Sequence, residues 1–153
     1  MRPAGYADNS GDGMDTVSRE VRSKIMAAVK SFGNKTTEVA MAGLLRLNGL
    51  GGYRRHWPIA GKPDFAWPKL KAALFVDGCF WHGCPRCNRF PSTNVEFWTN
   101  RIETNRRRDR RVARKLRADG WAVMRVWECS LTKERTIRRI RALVEARRCD
   151  FTS

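Results

Sequence analysis

Four cysteines limit what this chain can fold into more than any other feature. Cys79, Cys84 and Cys87 fall in one short segment, with four residues between the first two and two between the last two, and Cys129 stands far downstream. In a reducing compartment, thiols at such spacing serve metal binding or catalysis before disulfides. A tetrahedral thiolate site would need the fold to bring residue 129 back to the segment 79–87. The sequence between them offers a route. Lys71–Asp77 contains Ala72-Ala73-Leu74-Phe75-Val76, a continuous apolar run like that of a strand buried on both faces. Val95–Asp119 places Trp98, Ile102, Val112 and Leu116 at helical spacing and is closed by Gly120, and Trp121–Trp127 is a second apolar strand. Strand, helix and strand make a right-handed crossover, so the two strands are predicted to be parallel neighbours whose C-terminal ends point the same way. Cys129 then closes a tetrahedron begun by the loop cysteines, which predicts a structural zinc with no open position. Buried free thiols or disulfides are the competing readings, accepted for Cys149 in a basic C-terminal segment apart from the others.

The charge balance points to the partner. The 153 residues carry 31 Lys and Arg against 15 Asp and Glu, a formal +16 with a pI near 10.8, as in proteins that neutralise phosphates. Nucleic acid is the expected partner, with a solvated basic surface or anionic lipid as the alternatives. No apolar run approaches the roughly 20 residues of a membrane span. Hydrophobic residues at 42% are enough for the core of one domain and too many for a disordered chain. Residues 1–15 have neither an apolar core segment nor an Arg-rich amphipathic pattern and are expected to be a flexible leader, which makes cytosol the default compartment. The domain is expected over 16–149.

Two helices are predicted ahead of the sheet. One spans Thr16–Lys30 with Val21, Ile25, Met26 and Val29 on one side; the other opens at Thr36 or Thr37 and runs through Val39, Met41, Leu44, Leu45 and Leu47 to Asn48-Gly49. Glu38 falls in the first turn of the second, where a carboxylate suits the helix dipole. Tyr53–Trp57 and Asp64–Trp67 are predicted strands that form a meander with 71–77, and Thr132 is expected to cap a last amphipathic helix carrying Ile137, Ile140, Leu143 and Val144. The order α, α, β, β, β, α, β, α gives a mixed sheet in an α/β domain.

Several side chains carry candidate chemistry. His82 lies in the cysteine loop, and four thiolates already fill a tetrahedron, so a general base is favoured over a zinc ligand. His56, between Arg55 and Trp57, is expected to be structural. Asp64 and Asp77 bracket two strands of the meander and are candidates for one sheet edge, where hard oxygen ligands suit Mg²⁺; a turn role for either is the alternative. Phe80-Trp81 in a polar loop fits no helical or strand period and can either wedge between base pairs or pack beneath the loop. Asp109 is the one acid within Arg106-Arg107-Arg108-Asp109-Arg110-Arg111 and either makes helix ion pairs or turns inward to orient an imidazole.

At these residues the chain resembles the very-short-patch repair (Vsr) DNA mismatch endonucleases, a branch of the PD-(D/E)xK nucleases. The resemblance runs through residues 21–26, Gly61-Lys62-Pro63-Asp64-Phe65, Phe75-Val76-Asp77-Gly78-Cys79-Phe80-Trp81-His82-Gly83-Cys84, Glu96-Phe97-Trp98, Asn105 with Arg108-Asp109-Arg110, Gly120-Trp121 and Val126-Trp127-Glu128-Cys129. It implies a single-domain, restriction-endonuclease-like three-layer fold: a mixed central sheet flanked by helices, with a structural zinc. It implies a Mg²⁺-dependent nick in one strand of double-stranded DNA, 5′ to the T of a T·G mismatch left by deamination of 5-methylcytosine; separately, the protein is expected to be a monomer. The implied roles are Asp64 and the Val76 carbonyl for Mg²⁺, His82 as base, Asp109 as its orienting acid, and Glu38 near the active site. Phe80 and Trp81 would intercalate, with Met26 entering from the other groove. Arg22, Lys24, Lys62, Asn105 and Arg108 would contact DNA, and Cys79, Cys84, Cys87 and Cys129 would hold zinc. Asp77 stands where a known member has histidine, and no Lys follows two residues later, which leaves Asp77 open between second metal ligand, phosphate-side acid and neither. A nickase of other specificity and a non-catalytic zinc-stapled DNA-binding module remain the alternatives.

Overall fold

The computed structural model describes residues 37–87 and 90–152, all within one compact unit, Gly33–Ser153. The helix expected over 16–30, with Arg22, Lys24 and Met26, and the expected leader lie outside the described residues. Residues 37–47 form helix α1. Strands β1 (Arg54–Arg55), β2 (Phe65–Trp67) and β3 (Ala72–Asp77) follow, then α2 (Val95–Ala118), β4 (Ala122–Trp127) and α3 (Glu134–Thr152), with short 3-10 turns at Pro68–Leu70 and Glu128–Ser130. The sheet order is β1-β2-β3-β4; β1 to β3 run antiparallel in sequence and β3 pairs with β4 in parallel, from Ala72↔Ala122 to Asp77↔Trp127. That parallel pair is the one the crossover rule predicts.

Strand alternation assigns the two faces of the sheet. Phe65, Trp67, Ala72, Leu74 and Val126 turn to the side covered by Met41, Ala42 and Leu45 of α1 and Ile137, Ile140 and Val144 of α3. Ala73 and Phe75 turn to the other, against Leu116 and Val112 of α2. Helices on both faces of a mixed sheet make the three layers expected. Helix α2 ends where its sequence requires: Gly120, at φ +83, takes the left-handed conformation that side chains disfavour. Its N–H bonds Arg117 O, and the Trp121 N–H returns to Leu116 O at 2.9 Å, a Schellman closure with Trp121 and Leu116 in the same cluster.

Two boundaries differ from the sequence expectation. The strand predicted at Tyr53–Trp57 shrinks to two residues because Gly52 (φ 79) and His56 (φ 49) leave the extended region on either side; Tyr53 packs edge-on against Phe65 and Trp67 instead. Helix α3 begins at Glu134, with Lys133 O accepting the Thr136 and Ile137 N–H groups, so Thr132 stands one residue outside the cap. Among the described residues no helix is long and apolar enough to cross a membrane.

Candidate active site and metal centre

The parallel register carries the cysteines together. Because Asp77 pairs with Trp127, continuing both chains by two residues sets Cys79 beside Cys129, and a turn closed by the Cys84 N–H on Cys79 O (2.8 Å) folds the loop back. The four Sγ atoms of Cys79, Cys84, Cys87 and Cys129 lie within 4.8 Å of one another, and Cys84 and Cys129 are 3.7 Å apart. That separation is far too long for a disulfide, and all are free thiols. It matches the edge of a Zn–S tetrahedron, about 3.8 Å for bonds of about 2.3 Å. Burial pushes the Cys79 and Cys129 thiols up; it also opposes ionisation of Cys84, but the backbone N–H groups of Cys87 and Arg86 hold that thiol down to about 7. A cluster that resists ionising together is one a dication completes, so these residues fit zinc. Cys149, expected to be buried or in a disulfide, is instead an exposed thiol on α3, because its helical position falls on the solvent side.

On the α2 side of the sheet, residues 105, 109, 112 and 116 share the helix face turned inward. Asn105 Nδ2 donates to Trp81 O at 2.9 Å, and Arg106 donates to His82 O (3.1 Å) and Gly83 O (2.6 Å), so α2 holds the loop from both sides of the histidine. His82 Nδ1 and Asp109 Oδ2 are 2.5 Å apart. Burial works against the Asp109 charge, yet the His82 hydrogen bond and the Arg125 and Arg108 charges keep its carboxyl below the usual range. Asp77 is engaged elsewhere: Arg125 of β4 grips both its oxygens, Nε at 2.8 Å and Nη2 at 2.7 Å.

Asp64 sits just before β2, on the opposite side of the end of β3. Its Oδ2 accepts the Val76 N–H at 2.7 Å, and burial pushes the carboxyl up to about 6, with Glu38 adding to the effect. In an extended strand the N–H and C=O of a residue face the same edge, so the Val76 carbonyl is turned toward Asp64 as well. Glu38, buried at the start of α1, accepts from Arg55 and lies 3.0 Å from His56 Nε2. Glu38, His56 and Asp64 form one group able to hold a cation; Asp77, His82 and Asp109 form another, so the two strand-end carboxylates expected at one edge stand in separate groups. The oxygen-rich first group fits a hard divalent ion. His56, expected to be structural within a strand, is in that group because its left-handed backbone ends β1 and turns the ring to Glu38.

Phe80 and Trp81 are half-buried, edge-on to each other at 5.2 Å, and both contact Trp98 of α2, at 5.2 and 6.0 Å. Trp98, which its spacing assigned to the apolar side of α2, is thus the third ring of this cluster. Lys62 and Arg108 are exposed. Arg125 is a further site residue that sequence reasoning missed, since one arginine inside WAVMRVW reads as a strand position facing outward.

Comparison with known proteins identifies the family. The family profile described as DNA mismatch endonuclease Vsr matches residues 14–89. The type II nicking enzyme V.NmeDIP of Neisseria meningitidis serogroup C is 42% identical over 125 residues, 80% of this chain and 84% of that protein. V.XorIIP of Xanthomonas oryzae pv. oryzae, also named a type II nicking enzyme, is 38% identical over 120 residues, 77% of this chain and 87% of its own. The DNA mismatch endonuclease Vsr of Escherichia coli K12 is 37% identical over 119 residues, 76% of this chain and 75% of its own. With a thiolate centre, a histidine–aspartate pair and an acidic cluster set at the ends of its central strands, the chain belongs to the Vsr family of DNA mismatch endonucleases.

Proposed function

We propose that this endonuclease nicks one strand of duplex DNA 5′ to the T of a T·G mismatch, using Asp64 and the Val76 carbonyl to hold Mg²⁺, His82 as general base and Asp109 as its orienting acid. The observation that carries the reading is the 2.5 Å contact between His82 Nδ1 and Asp109 Oδ2. It leaves Nε2 of the ring free of that partner, with the tautomer that accepts a proton there, as a base acting on water requires. A Mg²⁺ bound at Asp64 supplies Lewis-acid polarisation of the scissile phosphate and charge stabilisation at the departing 3′ oxygen. His82 takes the proton of the attacking water at Nε2, and Asp109 stabilises the imidazolium that results. Cys79, Cys84, Cys87 and Cys129 hold Zn²⁺ as a structural clamp with no chemistry of its own.

Phe80 and Trp81, braced by Trp98, act as the wedge that opens the stack, with Met26 from the other groove; unstacking costs least at a mispair. Arg22, Lys24, Lys62 and Arg108 contact the DNA, and Asn105 supports the wedge through its bond to Trp81 O. The protein works as a monomer in the cytosol, with the catalytic domain over 16–149. The relatives named type II nicking enzymes favour a second reading, a nick at one strand of another sequence or mismatch. Labelled duplexes that are matched, carry T·G, or carry each other mismatch, incubated with Mg²⁺, separate the two. Nicking confined to the T strand of T·G supports the first. Equal nicking of matched DNA refutes it in favour of the second, and intact DNA in every lane refutes both.

A further inference from the structure

Arg125 has no part in the roles above, yet it touches both carboxylates around His82. Its Nε and Nη2 donate to the two oxygens of Asp77, and Nη2 also reaches Asp109 Oδ1 at 3.0 Å. The remaining oxygen of Asp109, Oδ2, is the one that meets His82 Nδ1. Strand register explains the placement. Phe75 pairs directly with Arg125, so the side chains of Phe75, Asp77 and Arg125 emerge on the same face, which α2 covers. Arg125 Cζ lies 4.6 Å from the Phe75 ring centroid, over the ring, and its buried Nη1 makes no hydrogen bond among the described residues.

We propose that Arg125 is a positioning residue of the nicking reaction: it fixes Asp109 so that Oδ2 stays on His82, and Asp77 is its counter-ion rather than a metal ligand. The inference rests on the reading of His82 and Asp109 as base and orienter. The terminal torsion of an aspartate is broad, so a carboxylate held only by His82 could rotate and offer its hydrogen bond off-line. Arg125 takes the second oxygen and removes that freedom. A planar guanidinium can grip Asp77 with two donors while turning one toward Asp109; an ammonium offers no such fork. Both Asp77 oxygens are occupied in this way, and a cation there would have to displace a permanently charged group. Asp64, with Glu38 and His56, stands in the separate cation-capable group. The aspartate where a known family member has histidine is accounted for by the arginine two residues back on the neighbouring strand.

A merely structural ion pair would, when removed, lower stability and leave the turnover of folded protein unchanged. The charge-balanced variant Arg125→Met/Asp77→Asn avoids leaving a buried carboxylate alone, and Arg125→Lys keeps the charge but not the fork. Both are measured on a T·G duplex for kcat and KM, for DNA affinity, and by proton NMR for the far-downfield resonance of the His82 Nδ1–H. The expected result is a loss of kcat of roughly tenfold to a hundredfold in the double variant, as for a catalytic group displaced by about 1 Å, with KM changed by less than about twofold and the resonance lost. Arg125→Lys is expected to lose less, with a weakened resonance. In an Asp109→Asn background, Arg125→Met/Asp77→Asn is expected to cost no further kcat. Wild-type kcat in either folded variant, or an equal loss with and without Asp109, overturns the role of Arg125. Full activity of Asp109→Asn itself overturns the base assignment beneath it, and the two failures are thereby told apart.

Discussion

At the scale of single residues, the site keeps one carboxylate charged against its will and another charged with help. Asp64 is pushed up to about 6 by burial, and no arginine among the described residues grips it, whereas the His82 bond and the neighbouring arginines hold Asp109 below the ordinary range. The consequences for stability have opposite signs. In metal-free protein the raised Asp64 makes the folded state bind more protons than the unfolded one between the ordinary carboxylate value of 3.8 and about 6, so stability from this group falls as pH rises through that window and stays low above it. The penalty at neutral pH is of order 3 kcal/mol. Asp64→Asn should therefore stabilise the Mg²⁺-free protein at pH 8 but not at pH 4, in urea titrations at both, while abolishing nicking. A variant no more stable at pH 8 would show that Asp64 is not strained by burial. The depressed Asp109 contributes in the other direction, with stability present above the usual carboxylate pKa and lost as pH falls through its lowered folded value. His82→Ala should reduce kcat by roughly 10²- to 10⁴-fold, as loss of a general base does, and Asp109→Asn added to it should cost little more. Asp64, His82 and Asp109 are legible in the sequence because motif, loop chemistry and an isolated acid each mark them. Arg125 and His56 are not: the first acquires meaning only when β3 and β4 pair in register, the second only when its backbone turns left-handed.

At the scale of elements, the β3–α2–β4 crossover sets both centres, and apolar runs plus the handedness rule were enough to foresee it. The short meander was harder, because two-residue β1 is defined by turns that propensity does not report. One contact there makes a sharp test. A Cβ at Gly61, φ +74, would fall 2.4 Å from Val112 Cγ1 of α2, a branched and stiff side chain, whereas at Gly120 the nearest atom would be Lys71 Nζ at 3.7 Å. Both glycines are left-handed, so each change to alanine loses about 1–2 kcal/mol of backbone freedom from strain. Gly61→Ala should lose about 1–3 kcal/mol more through overpacking, and it should impair nicking by shifting the turn that leads into Asp64. Equal urea midpoints for the two variants would refute that close approach. The four-cysteine centre joins the same two strand ends. A chelator that strips zinc, verified by metal analysis, should abolish nicking with Mg²⁺ in excess, because the loop carrying Phe80, Trp81 and His82 loses its tie to β4. Undiminished nicking after verified zinc loss would overturn the clamp.

For the whole molecule, the excess of positive charge and the aromatic cluster make separable demands on DNA binding. The formal charge is +16, and α2 alone carries nine basic residues against three acidic ones, of which Glu103 pairs with Arg107 and Arg110 and Asp109 faces inward to His82. Against the acids of the described residues, enough arginine is left along this helix to meet several phosphates. Each phosphate neutralised releases counterions, so six contacts would give a slope of log K against log salt concentration of about −5. That term does not read sequence. The proposed wedge of Phe80, Trp81 and Trp98 would gain its energy from stacking, which salt scarcely changes, and would gain most where unstacking is cheap. Affinities for matched and T·G duplexes, measured in Mg²⁺-free buffer across a salt series, should therefore fall along parallel lines of slope about −5, with a constant offset favouring the mismatch. Trp81→Ala should shrink the offset and leave both slopes alone; Arg108→Ala should make both slopes shallower by about one and leave the offset alone. A slope shallower than about −2 would mean that the basic surface does not track the backbone. An offset that fades with salt would place mismatch selection in the charges and remove it from the aromatic wedge.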